Sequence, residues 1–139
     1  MRVLATGVFD IIHPGHILFL ESAKALGDEL YVIVSCDKTA ERLKHRPVVP
    51  ETQRLEVVSS LKPVYKAIIG DDDDMFCKVI GIQPDIIALG FDQDIDEAWL
   101  KGELEKRGLK TKLIRLKEKK EGELMSSREI KKKVRTDGC

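Results

Sequence analysis

Apolar residues along the chain follow two alternating patterns. Runs of consecutive, mostly β-branched or aliphatic residues predict five strands: residues 2–6, 29–35, 64–70, 84–90 and 112–116. Apolar positions three or four residues apart predict helices between several of these runs: residues 14–26, 51–61 and 95–107. This alternation predicts an α/β fold, a Rossmann-like domain whose five-stranded parallel sheet carries helices on both faces. A length of 139 residues suits one core, so we expect a single domain over residues 1–139.

The segment between the first strand and the first helix, residues 7–16, is the most informative part of the sequence. It reads Gly-Val-Phe-Asp-Ile-Ile-His-Pro-Gly-His. Pro14 suits the first turn of a helix, and Gly15 removes a side chain that would keep a ligand away from the backbone. A helix start at this place offers unpaired N–H groups and a partial positive charge. The segment therefore predicts a site for an oligophosphate.

Two histidines flank this predicted helix start. His13 and His16 are three residues apart, so both imidazoles can point toward a phosphate held over Gly15. A zinc pair and two unrelated surface histidines are the alternatives. Helix-borne zinc pairs more often use a spacing of four, and no nearby cysteine or further histidine completes a ligand set. Contact with phosphate is the favoured interpretation.

Two further segments carry polar residues near the predicted carboxyl edge of the sheet. Lys44 lies in a polar stretch, residues 36–49, that we expect to be a loop, and a cation there can close onto phosphates. Asp92 and Gln93 directly follow the fourth strand, where open α/β folds bind ligands, so they can read a base or a ribose. The plainer alternatives are a surface charge run for Lys44 and a simple turn for Asp92.

Two more patterns combine charge with the start of a helix. Residues 71–74 are four consecutive aspartates. Helix capping explains them better than a metal cluster does, because four adjacent carboxylates cannot all face one ion. The Ser-Ser-Arg-Glu sequence at residues 126–129 contains a capping box. It predicts a final helix whose start is a candidate second anion site.

Composition and charge narrow the range of partners. Lys and Arg total 24, as do Asp and Glu, so no global charge attracts the chain to nucleic acid or to an anionic membrane. No apolar run has the length of a membrane span, and residues 2–6 read as a core strand rather than a leader. The three cysteines form no C-x-x-C pair. We therefore expect a cytoplasmic protein that binds small molecules, without nucleic-acid or membrane partners.

The G-x-F-D sequence at residues 7–10 and the following HxGH sequence at residues 13–16 resemble a nucleotidyltransferase superfamily. In that superfamily, nucleoside triphosphate lies over the HxGH helix. It is contacted by the G-x-F-D loop, a lysine after strand two and a Ser/Thr-rich helix start near the C-terminus. The resemblance implies catalytic roles for His13, His16 and Lys44, with no metal ligand from the protein. It implies nucleotide contacts at these positions: Val8, Phe9, His13, Pro14, Gly15, His16, Asp92, Lys120 (or Lys119), Ser126 and Ser127.

Within the superfamily, the chain is most similar to the archaeal FAD synthases, through residues 7–16, 49–56, 84–93 and 121–124. Glycerol-phosphate cytidylyltransferases typically have Trp where this chain has Pro14. The resemblance implies an enzyme that binds ATP and FMN, in which the FMN phosphate attacks the α-phosphorus and pyrophosphate leaves. It also implies a divalent cation, expected to be Mg²⁺ and held mainly by substrate phosphates. A homodimer is expected because relatives of this type often dimerise.

Three alternatives remain open at this point. The first is a cytidylyltransferase acting on glycerol phosphate or a related small phosphate, and the second is an adenylyltransferase for a sugar phosphate. The third is a non-enzymatic module that binds ATP without releasing pyrophosphate. The joint presence of both histidines, Lys44 and the second helix start favours an enzyme.

Overall fold

The computed structural model describes residues 1–43, 46–91 and 93–116. The strands are β1 (Arg2–Gly7), β2 (Glu29–Val34), β3 (Lys66–Ile69), β4 (Ile86–Leu89) and β5 (Lys112–Arg115). They form one sheet in the order β3-β2-β1-β4-β5, and every neighbouring pair is parallel. The predicted five-stranded parallel sheet is confirmed.

The helices agree with the sequence pattern except in one segment. They are α1 (Pro14–Lys24), α2 (Asp37–Leu43), α3 (Glu51–Ser59), α4 (Cys77–Ile82) and α5 (Glu97–Lys106). The expectation of a loop over residues 36–49 is wrong for residues 37–43, where α2 lies with Asp37 in its first turn and Ala40 buried; residues 46–49 form no helix or strand. A helix this polar presents no apolar stripe, so the pattern of hydrophobic positions does not reveal it.

Helices cover both faces of the sheet, as predicted, because strand side chains alternate between two apolar clusters. On one face, Val3 and Ala5 of β1 lie in a cluster with residues of α1 and α3. On the other face, Leu4 of the same strand lies in a cluster with residues of α4 and α5. The central strand β1 therefore supports both layers of helices.

The order of the strands creates a crevice between β1 and β4. The chain runs from β1 through β2 to β3 on one side, then crosses to β4 and β5 on the other. Because all strands are parallel, the loops after β1 and β4 leave from the same edge and diverge, which is where open α/β sheets bind ligands. The loop after β1 leads into the HxGH sequence at the start of α1, so the fold puts the predicted phosphate site at this switch point.

The aspartate run at residues 71–74 makes contacts within the protein. Asp74 Oδ1 accepts the backbone N–H of Phe76, just before α4, at 2.9 Å. Asp72 Oδ1 accepts the Thr39 hydroxyl at 2.9 Å and the Arg42 guanidinium at 2.6 Å, which fastens α2 to the loop after β3. Within the described ranges, no group of three His, Cys, Asp or Glu residues is placed to hold a metal ion. The helices of that same part of the chain are too short or too polar to cross a membrane.

Candidate active site

Helix α1 begins with two histidines that form its cap. His13 is the N-cap residue, and its Nδ1 accepts the N–H of Gly15 at 3.0 Å. His16 Nδ1 accepts the N–H of His13 at 3.3 Å, which completes a capping box made of imidazoles. Because each Nδ1 is an acceptor, a neutral ring carries its proton on Nε2. The cap therefore fixes the tautomer that presents an Nε2–H donor.

The two imidazoles lie in one stack of rings. The centroids of His13 and His16 are 3.8 Å apart with planes 30° apart, and the Phe9 ring lies 5.4 Å from His16. Phe9 and His13 are both buried. The structure thus brings the two predicted catalytic histidines together, and packing fixes their orientation.

The loop after β1 holds a strained turn that depends on Gly7. Phe9 has a φ of 53°, in the left-handed region that is unfavourable for a residue with a side chain. Its ring folds back over Gly7, where a Cβ would lie 2.9 Å from the ring. A side chain at position 7 would therefore force the Phe9 ring to shift. Val8 and Phe9, two predicted nucleotide contacts, lie in this turn beside the HxGH sequence.

Asp10 fastens the same loop to the start of α3. Its buried carboxylate accepts the N–H of Val48 at 3.0 Å and the N–H of Val49 at 2.8 Å. Hydrogen bonds to an ionised acceptor are stronger than neutral ones. The segment that leads into α3 is therefore held against the loop after β1.

Arg54 of α3 organises the same region, a role that sequence reasoning missed. Its side chain is 1% exposed and donates to the carbonyl oxygens of Val8 at 2.8 Å and Ser35 at 2.7 Å. It also donates to the Val49 carbonyl at 2.8 Å and pairs with Asp37 at 2.6 Å. One guanidinium thus joins the loop after β1, the start of α2 and the start of α3. The available signal was its position on the apolar stripe of α3.

Arg115 and Gln93 hold the loop on the other side of the crevice. Arg115, at the end of β5, donates to the carbonyl oxygens of Gly90 at 2.9 Å and Gln93 at 2.7 Å. The Gln93 amide accepts the N–H of Gly90 at 3.1 Å and donates to Thr6 Oγ1 of β1 at 3.2 Å. Its side chain is therefore engaged within the protein, rather than directed at a base or ribose as predicted.

The arrangement is suited to binding and stabilising a phosphoryl group. The start of α1 supplies backbone N–H groups and the positive end of the helix dipole. The two imidazoles add side-chain donors whose tautomer and orientation are already set. Transfer of a phosphoryl or nucleotidyl group depends mainly on positioning and on stabilising charge at the oxygens. These residues can therefore support such a transfer.

Comparison with known proteins identifies the family. The model of the cytidylyltransferase-like family matches residues 4–133. The chain belongs to the cytidylyltransferase-like family. This match confirms the resemblance carried by the G-x-F-D and HxGH sequences, and together with the relatives it makes the chain a nucleotidyltransferase enzyme.

Individual relatives are similar to this cytidylyltransferase-like chain over nearly its whole length. The FAD synthase of Archaeoglobus profundus is 58% identical over 134 residues, which are 96% of this chain and 86% of the relative. The FAD synthase of Methanothrix thermoacetophila is 53% identical over 99% of this chain and 96% of the relative. Among solved structures, the lipopolysaccharide core biosynthesis protein of Thermoplasma volcanium is 47% identical with a TM-score of 0.84. That match covers 87% of this chain and 98% of the other.

The structure of this cytidylyltransferase-like chain describes six of the predicted site residues, and all lie between the end of β1 and the first turn of α1: Val8, Phe9, His13, Pro14, Gly15 and His16. The others lie outside the described residues: Lys44, Asp92, Lys120 with its alternative Lys119, Ser126 and Ser127. Their roles stay predictions.

Asp72 is ionised at the edge of the sheet beside α2. The hydrogen bond from Thr39, and then that from Arg42, hold the pKa of the Asp72 carboxyl below its usual range. A charged acceptor therefore fastens the helix that precedes Lys44 in the sequence of this cytidylyltransferase-like protein.

Proposed function

We propose that this protein transfers AMP from ATP to the phosphate of FMN, giving FAD and pyrophosphate. The observation that carries the proposal is the imidazole-capped start of α1 in a chain 58% identical, over 96% of its length, to a protein named FAD synthase. A second relative of that name is 53% identical over 99% of the chain. Similarity this extensive includes the whole phosphate site and the strands that carry it.

The reaction needs no protein nucleophile. An oxygen of the FMN phosphate attacks the α-phosphorus of ATP in line, the bond to the bridging oxygen breaks, and pyrophosphate leaves with the electron pair. In this proposal His13 and His16 donate Nε2–H groups to the phosphoryl oxygens on which charge increases. Because the rings are capped and stacked, these donors need no reorganisation during the reaction.

ATP enters this reaction as its magnesium complex, in which the ion neutralises charge on the departing β- and γ-phosphates. Among the described carboxylates near the edge, Asp10 and Asp72 already accept hydrogen bonds from the protein. Phosphate oxygens and water are therefore the ion's proposed ligands. Lys44, Asp92, Lys120, Ser126 and Ser127 complete the nucleotide site in this proposal. The proposal also puts the protein in the cytoplasm, because that is where we expect its substrates ATP and FMN.

A panel of donors and acceptors tests the proposal. ATP and CTP are each combined with FMN, glycerol phosphate and a heptose phosphate in the presence of Mg²⁺, and pyrophosphate and FAD are measured. We expect FAD from ATP and FMN. With FMN held constant, CTP should react more slowly, because each unpaired polar group costs about 1 to 3 kcal/mol. Transfer to the sugar phosphate with no FAD formed would replace FMN as the acceptor.

A further inference from the structure

An aromatic pair at the carboxyl edge of the sheet takes no part in the phosphate site. Trp99 and Phe76 have ring centroids 6.0 Å apart with planes at 55°, and we call this pair the aromatic platform. Phe76 is buried, whereas Trp99 is 47% exposed and Met75, next to Phe76 in the chain, is 52% exposed. The platform therefore presents a large apolar surface to solvent at its indole.

The topology puts the aromatic platform beside the crevice. Trp99 lies in the first turn of α5, where its backbone N–H donates to Oδ1 of the cap residue Asp96 at 3.1 Å. Phe76 immediately precedes α4. Helices that follow parallel strands begin at the carboxyl edge, so the first turn of α5, which carries Trp99, lies at the same edge as the HxGH sequence. Because α5 follows β4, which pairs with β1, Trp99 lies on the β4 side of the crevice.

The aromatic platform is held firmly from within. The Arg107 guanidinium lies 4.1 Å from the centroid of the Phe76 ring, and it pairs with Glu103 at 2.8 Å. Phe76 also belongs to the apolar cluster that includes Leu100 and Leu104 of α5. A half-exposed indole beside a fixed ring is a preformed surface for a flat aromatic ligand, since aromatic pairs gain energy beyond the area they bury.

We propose that Trp99 binds the isoalloxazine ring of FMN. This inference rests on the proposed function, because it assigns a place to the acceptor of that reaction. FMN carries its phosphate at the end of a ribityl chain, so a phosphate at the start of α1 leaves the ring displaced to one side of that helix. The oxidised isoalloxazine is electron-poor and indole is the most electron-rich side chain, which favours stacking between them.

Fluorescence tests the contact directly, because Trp99 is the sole tryptophan of the chain. FMN is titrated into the protein alone and in the presence of α,β-methylene-ATP, which cannot transfer AMP. We expect saturable quenching of indole and flavin emission, beyond the quenching of free N-acetyltryptophanamide at equal FMN concentration. Absence of saturable quenching under both conditions would overturn the proposal.

Steady-state kinetics separates the flavin from the nucleotide. Trp99→Ala should raise KM for FMN about tenfold, which is the size of a lost ring stack, and leave KM for ATP within about twofold. Trp99→Phe keeps a ring and should give an intermediate KM for FMN. Tyr65→Ala is the matched control, since Tyr65 is 62% exposed but precedes β3 at the opposite edge of the sheet. Its KM values should equal those of the unaltered protein.

The outcomes distinguish this inference from the proposed function. An unchanged KM for FMN in an active Trp99→Ala variant would overturn the flavin contact and leave FAD synthesis in place. A raised KM for ATP alone would assign the aromatic platform to adenine, and it would also overturn the flavin contact. Failure of the unaltered protein to make FAD would instead overturn the proposed function. Because Trp99 is half-exposed, its variants should fold, and circular dichroism before each assay checks this.

Discussion

At the scale of single residues, each histidine of the HxGH sequence has one observed role and one proposed role. The Nδ1 atoms cap α1, whereas the Nε2 atoms are the proposed phosphate donors. An alanine at either position removes both roles, so the activity of such a variant does not separate catalysis from folding. Asparagine at position 13 separates them, because its side-chain oxygen can accept the Gly15 N–H and Asn is among the best N-cap residues.

We expect His13→Asn to unfold at nearly the same urea concentration as the unaltered protein and to lose about a hundredfold or more in kcat. His13→Ala should lose similar activity and also about 1 kcal/mol of unfolding free energy, because the cap is gone. Urea titration and pyrophosphate release measure the two effects. Near-normal kcat in His13→Asn would show that the imidazole does not stabilise the transition state.

At the scale of elements, α2 is specified by tertiary contacts. Asp37 pairs with Arg54 at one end, and Asp72 accepts hydrogen bonds from Thr39 and Arg42. Seven residues are too few for a helix that is stable alone in water. These contacts therefore decide whether the segment before Lys44 is helical.

The pH dependence of stability tests the contact made by Asp72. The Thr39 and Arg42 hydrogen bonds hold the pKa of Asp72 below its ordinary 3.8. A lowered folded-state pKa contributes stability that is complete above the unfolded value and lost as pH falls through the folded value. The unaltered protein should therefore exceed Asp72→Asn in stability by a constant margin above about pH 5, and the margin should shrink below about pH 4.

Urea unfolding midpoints between pH 7 and pH 3 measure that margin. Asp73→Asn is the matched control, since Asp73 is an exposed neighbour in the same aspartate run. The difference in stability between the unaltered protein and Asp73→Asn should stay small over the same pH range. A margin for Asp72→Asn that does not change with pH would mean that the carboxylate charge does not hold α2.

The elements that sequence could predict are those whose signal is local. β4 is buried at all four positions, and its continuous apolar run is visible in the sequence. The spacing of the two histidines likewise predicted that both rings lie together at the start of α1, as they do. Arg54 was missed because three of its partners, Val8, Ser35 and Asp37, are distant from it in the sequence. It lies four residues before Val58, so the helical repeat puts it on the buried face, but a lone arginine there gives no sign of its acceptors. The capping role of His13 also depends on the extended backbone at that residue, which no motif encodes.

At the scale of the whole molecule, two arginines organise the carboxyl edge, one on each side of the crevice. Arg54 donates hydrogen bonds to segments that follow β1 and β2, on the side formed by β1, β2 and β3. Arg115 donates to the segment that follows β4, on the side formed by β4 and β5. Arg54 is almost fully buried, whereas the Arg115 side chain is only partly buried. Loss of Arg54 should therefore destabilise the fold more than loss of Arg115.

We expect Arg54→Met to lose about 3 kcal/mol or more of unfolding free energy, because three carbonyl oxygens and Asp37 lose their donor. Arg115→Met should lose less. Gln53→Met, at the exposed preceding position of α3, is the control and should stay within about 0.5 kcal/mol of the unaltered protein. Urea denaturation compares the three variants. A loss below about 1 kcal/mol for Arg54→Met would contradict its organising role.

The imidazole cap of α1 also bears on how folding and catalysis constrain each other. Formation of this helix and assembly of the proposed phosphate donors are a single event, so the rotational freedom of both rings is lost during folding. Little of that entropy remains to be lost when substrate binds. Stabilising mutations often reduce activity because active sites are usually strained or flexible. If the proposed catalytic roles hold, the same two side chains contribute to stability and to activity at this helix start, and selection for a persistent fold and selection for a fast reaction then favour the same residues.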